Sequence, residues 1–69
     1  MANVHFQHGH KDIMVVYGMR SSLPSRGDRI IVAEDIYRVE RKIYSFSGGK
    51  WNHLRSIIVE LSVDTEISN

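Results

Sequence analysis

Aromatic and basic side chains concentrate between residues 38 and 55 of the chain. Trp51, the single tryptophan, follows two glycines and a lysine, a context typical of an exposed loop. Tryptophan, tyrosine and arginine dominate the energetics of protein interfaces. The sequence therefore predicts a partner-binding surface of seven residues: Arg38, Lys42, Tyr44, Lys50, Trp51, His53 and Arg55. In the alternative interpretation, Trp51 folds back and seals one open end of a small core.

The same segment carries two further hypotheses. Arg38, Lys42 and Tyr44 would point one way from a strand and, with Trp51, could form a platform on which single-stranded nucleic acid stacks. Glu40 interrupts this row, so RNA or DNA binding ranks below protein binding. The third hypothesis is capture of a small anionic ligand, such as a nucleotide, between subunits by Arg38, Arg41 and Trp51.

Three histidines near the N-terminus have a spacing that could chelate a metal. His5, His8 and His10 form the pattern H-x2-H-x-H, and Asp12 continues the alternate-residue series. On an extended segment, His8 and His10 would lie on one side and could bind Zn²⁺ or Ni²⁺ through neutral imidazoles. A polar N-terminal segment without a ligand explains the same residues more simply. We therefore predict no metal site and no cofactor.

Catalytic signatures are absent from the sequence. The chain has no cysteine, and no serine lies in a nucleophile-elbow context. The carboxylates are scattered along the chain and form no close pair. A single domain of 69 residues also leaves little room for a substrate cavity, which usually needs at least about 300 Å³. We therefore predict a non-enzymatic protein without catalytic residues.

Charge is distributed unevenly, although the net charge is only +1. Residues 38–55 carry five bases against one acid, Glu40, whereas residues 56–69 carry three acids and no base. Such asymmetry can orient a protein partner or a second copy of the chain. The longest apolar run, Ile13 to Tyr17, is too short for a signal peptide or a membrane span. We expect a cytoplasmic homo-oligomer with no membrane partner.

Period-2 alternation of apolar and polar residues predicts the elements that hold these side chains. The segments Ile36–Phe46 and Leu54–Val63 read as a β-hairpin closed by Gly48-Gly49. Shorter strands are predicted at Asp12–Met19 and Asp28–Val32, with an optional one around Val4–Phe6. Both faces of Asp12–Met19 are apolar, which suggests a central strand or one covered by a loop or another subunit.

Together these segments predict one all-β domain spanning residues 1–69. We expect four to five antiparallel strands in a meander, as an SH3-like small barrel or a strongly curled sheet. Residues 1–11 and 64–69 are expected to be flexible ends. The predicted core is Ile13, Val15, Tyr17, Ile30, Val32, Tyr37, Val39, Ile43, Ile57, Val59 and Leu61.

The turn before the second short strand has a simple structural interpretation. In Arg26-Gly27-Asp28, Gly27 allows a positive φ and the Asp28 carboxylate caps the turn. This is a better explanation than adhesion-receptor recognition of the Arg-Gly-Asp tripeptide. A tight turn is then predicted at Ala33-Glu34-Asp35, leading into the long strand.

The segment from Gly27 to Val39 resembles a known family. Gly27-Asp28-Arg29-Ile30-Ile31-Val32, a turn, and Ile36-Tyr37-Arg38-Val39 are similar to the "G-D-x-hydrophobic, turn, Tyr-x-Val" signature of small SH3-like barrels of tailed bacteriophages. Those proteins include head-tail connector components and small accessory proteins. The match covers about a fifth of the chain, and the turn lacks the family's usual glycine. The resemblance implies a non-enzymatic, phage-encoded accessory or host-protein-binding module.

Overall fold

The computed structural model describes residues 2–18, 22–50 and 53–64, and these residues form strands and turns without a helix. The five strands are β1 (Asn3–His8), β2 (Lys11–Tyr17), β3 (Arg29–Val32), β4 (Asp35–Phe46) and β5 (Leu54–Val63). The prediction of an all-β chain is confirmed. The predicted hairpin is also confirmed, because β4 and β5 pair antiparallel from Tyr37↔Val63 to Phe46↔Leu54.

The strands form one nearly closed, barrel-like sheet in the order β2-β1-β5-β4-β3. The prediction of a purely antiparallel meander is wrong, because β1 pairs parallel with β5 and, among the described residues, β2 does not pair with β3. A hairpin, β1–β2, and a three-stranded antiparallel unit, β3–β4–β5, are instead joined side by side through β1 and β5. The sheet curves enough for the His8 ring on β1 to lie 5.6 Å from the Tyr37 ring on β4, across the intervening strand.

The N-terminal segment is part of the sheet. The expectation of a flexible end is wrong over Asn3–His8, since this strand lies between β2 and β5. Val4 and Phe6 are 1% and 3% exposed. The optional strand around Val4–Phe6 is thus present, but the polar composition around it concealed how deeply these two side chains are buried.

We call the face of the sheet that carries the core the inner face, and the opposite one the outer face. The buried core consists of Val4, Phe6, Tyr37, Val39, Ile57, Val59 and Leu61, and half-buried Ile13, Ile30 and Val32 pack against it. The core prediction is wrong for Tyr17 and Ile43, which are 75% and 41% exposed. Val15 is only half-buried, opposite His5 on the outer face.

A β-bulge at Glu40 explains the exposure of Ile43. Val39 pairs with Leu61, but Arg41 pairs with Glu60, so Glu40 is the extra residue in β4. A one-residue shift of register moves every following side chain to the other face. The Glu40 carboxylate accepts a hydrogen bond of 2.6 Å from the Ser62 hydroxyl, which anchors the bulge.

The turns around β3 follow the predicted chemistry. Gly27 has φ +92°, and the Asp28 carboxylate accepts a 2.8 Å hydrogen bond from the backbone N–H of Ser25. Val32 pairs with Asp35, so the β3–β4 turn has only two central residues, Ala33 and Glu34. Both adopt positive φ, +50° and +73°, a conformation that favours glycine or asparagine.

The expectation of a flexible C-terminal end is wrong at Asp64, the last residue that the structure describes. Its side chain is completely buried, and its carboxylate oxygens lie 2.7 Å from Nε of Arg29 and 3.3 Å from a terminal nitrogen of Arg38. Arg29 and Arg38 are directly opposite each other on β3 and β4. The carboxylate therefore neutralises two like charges that the strand register brings together.

Candidate functional site

The β4–β5 hairpin extends beyond the rest of the sheet. β1 pairs with β5 only from Ser56 to Glu60, so the segment of β5 that precedes Ser56 lacks a β1 neighbour. We call the described residues 42–50 and 53–55 the hairpin arm. Its first residues, Lys42 to Ser45, are opposite the part of β5 that β1 covers, and the residues from Phe46 onwards lie beyond it. The described arm contains five of the seven predicted partner-binding residues: Lys42, Tyr44, Lys50, His53 and Arg55.

Three side chains of the arm follow one another on a single side of β4. Beyond the bulge, Lys42 is opposite Val59 and Tyr44 is opposite Ile57, so both lie on the inner face. Phe46 is opposite Leu54 and continues this series. Tyr44 is 46% exposed and Phe46 is 58% exposed, because the core ends at this level.

Phe46 was missing from the predicted surface. The signal that could have identified it is the alternate-residue spacing Lys42, Tyr44, Phe46, which places it two positions beyond a residue already selected. The structure thus adds a second exposed aromatic ring to the arm.

The tip of the arm is closed by Ser47 and His53. The backbone N–H of Ser47 donates to the His53 carbonyl at 3.0 Å, and the backbone N–H of His53 donates to the Ser47 hydroxyl at 3.3 Å. The His53 ring nitrogen Nδ1 is also 3.3 Å from that hydroxyl. These contacts fix the exposed His53 at the base of the loop, where Lys50 is also exposed. Trp51 lies outside the described residues.

The arm is positively charged throughout. Residues 42–55 contain Lys42, Lys50 and Arg55 and no acidic residue. Arg55 is exposed at a register shift between the pairs Ser45↔Ser56 and Phe46↔Leu54. At this end of the sheet, positive charge therefore lies beside exposed aromatic surface.

Arg38 does not belong to this surface. It lies opposite Ser62, before the bulge, and contacts the buried Asp64 carboxylate. The predicted row of Arg38, Lys42 and Tyr44 on one strand face is wrong, because the bulge reverses the facing of β4 between them. Arg41, the other base of the proposed anion site, forms a 2.9 Å ion pair with Glu60 on the outer face.

The N-terminal histidines lie in three different settings. Nδ1 of His5 is 3.1 Å from the Asp12 carboxylate, which also accepts a 2.8 Å hydrogen bond from Gln7. The Gln7 hydrogen bond, followed by that of His5, lowers the pKa of Asp12 below its ordinary value of 3.8. His8 lies against Tyr37, and His10 occupies a two-residue turn at φ +66°. Within residues 2–18, 22–50 and 53–64, no three side chains of metal-binding type form a group that could hold an ion.

A shallow cleft of about 220 Å³ opens on the outer face. It is smaller than the roughly 300 Å³ typical of the smallest substrate sites. The residues that line it are Gln7, Gly9, His10, Arg41, Glu60 and Leu61. Since Arg41 and Glu60 form an ion pair with each other, their charges already have partners.

The described part of the chain contains no helix long and apolar enough to cross a membrane. Comparisons of the whole chain with protein-family models, with curated proteins and with solved structures give no significant match.

Proposed function

We propose that this protein is a non-catalytic protein-interaction module that acts as a homo-oligomer and binds a protein partner through the hairpin arm. The observation that carries the proposal is the pair of exposed aromatic rings, Tyr44 and Phe46, on one side of β4 where the β4–β5 hairpin leaves the rest of the sheet. Their neighbour on the same side is Lys42.

Burial of these rings would provide useful binding energy. An aromatic side chain buries about 150–250 Å². Covering the 58% of Phe46 that is exposed would therefore contribute about 3 kcal/mol at about 25 cal/mol per Å². Tyr44 would add a comparable amount, and its hydroxyl can remain at the rim of an interface. Aromatic anchors of this kind are typical hot spots.

The charge of the arm indicates the character of the partner. Lys42 lies on the same side of β4 as the aromatic rings, and Lys50, His53 and Arg55 are exposed elsewhere on the arm. A complementary surface has an apolar recess for Phe46 and acidic residues around it. Such charges at the rim mainly accelerate association and select the partner.

A cytoplasmic, phage-encoded accessory or host-protein-binding role fits this proposal. It is suggested by the resemblance of the Gly27–Val39 segment to small SH3-like barrels of tailed bacteriophages. The β3–β4 hairpin that carries this resemblance is on the opposite side of β5 from β1 and β2. It forms the scaffold beside the arm rather than the binding surface itself.

The test is affinity purification of the tagged protein from its native host, followed by mass spectrometry. Phe46→Ser and Trp51→Ala should each abolish the recovery of a specific co-purifying protein. Ile31→Ser is the matched control, because Ile31 is 71% exposed on β3, away from the arm. Equal recovery with Phe46→Ser and Ile31→Ser would refute binding through the arm.

Single-stranded nucleic acid is a second candidate ligand, favoured by the series Lys42, Tyr44 and Phe46 on one face. Bases stack on such aromatic rings, with about 1–3 kcal/mol per base. Fluorescence titration with single-stranded RNA and DNA at two salt concentrations tests this function. Salt-dependent binding that weakens with Lys42→Glu would support it, and a flat titration would remove it.

A further inference from the structure

Charges of opposite sign lie at the two ends of β4. The β3–β4 turn and the first residue of β4 carry Glu34 and Asp35, and residues 30–37 contain no base. The arm, at the other end, carries Lys42, Lys50 and Arg55 and no acid. Among the residues that the structure describes, none of these five side chains has an ion-pair partner. Both groups of charges are therefore available to a binding partner.

The acidic and the basic group cannot meet within one molecule. β4 has twelve residues, so its two ends are about 37 Å apart at about 3.4 Å per residue. The molecule is 52 Å long and 19 Å across. Salt screens exposed charges over about 8 Å at physiological ionic strength. Attraction between the two groups therefore acts only between separate molecules.

Exposed apolar side chains accompany the acidic residues. Ile31 on β3 is 71% exposed, and Val63 on β5 is 51% exposed. Their partners in the sheet, Ile36 and Tyr37, lie at the start of β4. Ile31 is on the outer face and Val63 on the inner face, so apolar surface is available on both sides of the sheet. We call this surface, residues 31–36 with Val63, the acidic end.

We propose that the arm of one copy of this chain binds the acidic end of a second copy, so that the copies associate head to tail. The acidic end has the two features that the arm requires of a partner, namely apolar surface for Phe46 and carboxylates for the basic side chains. The inference rests on the proposed function, because it uses the same arm and identifies the contact that forms the homo-oligomer. Since two different surfaces meet, the assembly is a ring or an open chain.

The charges favour this contact over contacts between like ends. Two arms in contact would bring together the three bases of each copy without an acid between them. Two acidic ends in contact would likewise bring carboxylates together. Juxtaposed like charges disfavour association, and only the contact between unlike ends pairs opposite charges. We therefore expect the association to weaken as salt is added.

Variants that disable one end at a time test the head-to-tail contact. The arm variant is Phe46→Ser, and the acidic-end variant combines Glu34→Lys with Asp35→Lys. Each variant alone should associate at least tenfold more weakly than the wild type in sedimentation equilibrium. An equimolar mixture of the two should form a dimer and no larger species, because it contains intact arms only on one variant and intact acidic ends only on the other.

A matched pair of charge reversals tests the electrostatic part of the contact. Arg55→Glu reverses an exposed base of the arm. Arg26→Glu is its control, because Arg26 is exposed beside Gly27, which donates a backbone hydrogen bond to Val39 between the two ends of β4. Arg55→Glu should weaken the association at least fivefold, whereas Arg26→Glu should change it less than twofold. Equal effects of the two reversals would overturn the contact.

Glu34→Gly separates association from folding. Glycine adopts the positive φ of this position without strain, so the variant should be at least as stable as the wild type. It nevertheless loses one carboxylate of the acidic end. We expect an association at least threefold weaker, with an unfolding midpoint that is no lower. Such a loss cannot result from unfolding.

The results distinguish this inference from the proposed function. Association that persists at wild-type strength in either end variant, or a mixture that stays monomeric, overturns the head-to-tail contact. An oligomer that persists in this way leaves the homo-oligomer part of the proposed function intact. A wild-type monomer at 100 μM overturns both. Neither result affects binding of a host protein of different sequence, which the affinity purification with Phe46→Ser tests separately.

Discussion

Removing the charge of Asp64 should destabilise the fold far more than removing an exposed charge of the same kind. The perturbation is Asp64→Asn, which retains the shape of the side chain. The Asp64 side chain is fully buried between Arg29 and Arg38, at 2.7 and 3.3 Å. In the variant, two arginines directly opposite each other would lose the carboxylate that neutralises them.

The magnitude follows from the burial of the three groups. Breaking a fully buried ion pair costs about 3–5 kcal/mol. Here the side chains of Arg29 and Arg38 are 50% and 33% exposed, so water partly replaces the lost contacts. We therefore expect a loss of about 2 kcal/mol. A single small core rarely provides more than roughly 3–5 kcal/mol, so this is about half of the total stability.

The assay is urea denaturation followed by circular dichroism at pH 7. Glu60→Gln is the matched control, because it removes the partner of Arg41 in an ion pair whose side chains are 68% and 28% exposed. Such a surface pair contributes no more than about 1 kcal/mol. The reasoning would be refuted by equal losses in the two variants, or by a loss below about 0.5 kcal/mol for Asp64→Asn.

Three further predictions concern the turns, the N-terminal strand and pH. Glu34 has a φ of +73°, which glycine adopts without strain. Glu34→Gly should therefore stabilise the protein by up to about 1 kcal/mol in urea denaturation. An unchanged midpoint would argue against strain in this turn. Phe6→Ala should cost about 3–5 kcal/mol and unfold most of the protein at 25 °C, whereas Tyr17→Ser should remain folded by circular dichroism. Because folding lowers the pKa of Asp12, its ionised carboxylate stabilises the folded state. This contribution is complete above about pH 4 and is lost as the pH falls through the folded-state pKa. Thermal melts of Asp12→Asn should therefore lack this part of the acid dependence that the wild type shows.

The parts of the fold that were predictable are those set by neighbours in the sequence. Alternation over Ile36–Phe46 and Leu54–Val63 identified the long hairpin, since antiparallel strands joined by a short loop pair with each other. The turn at Gly27 and Asp28 was predictable for the same reason, because its backbone conformation and its side-chain hydrogen bond are local.

The parts that were not predictable depend on contacts between distant segments. Parallel pairing of β1 with β5 joins residues more than fifty positions apart, and no local pattern specifies it. Apolar and polar residues alternate both before and after the bulge at Glu40. The sequence therefore does not show that the side chains after Glu40 lie on the opposite face of the sheet from the one that simple alternation predicts. Asp64 resembled part of a polar tail, since its partners Arg29 and Arg38 are brought to it only by the sheet register.

The shift of register at Glu40 decides which residues form the binding face of the arm, and cross-strand nuclear Overhauser effects in labelled protein measure it directly. With the bulge, Ile43 is opposite Ile58 and Tyr44 is opposite Ile57. We therefore expect strong contacts within those two pairs. Strong contacts between Ile43 and Ile57 would instead show an unshifted register, with Lys42 and Tyr44 on the outer face, and would contradict the proposed surface.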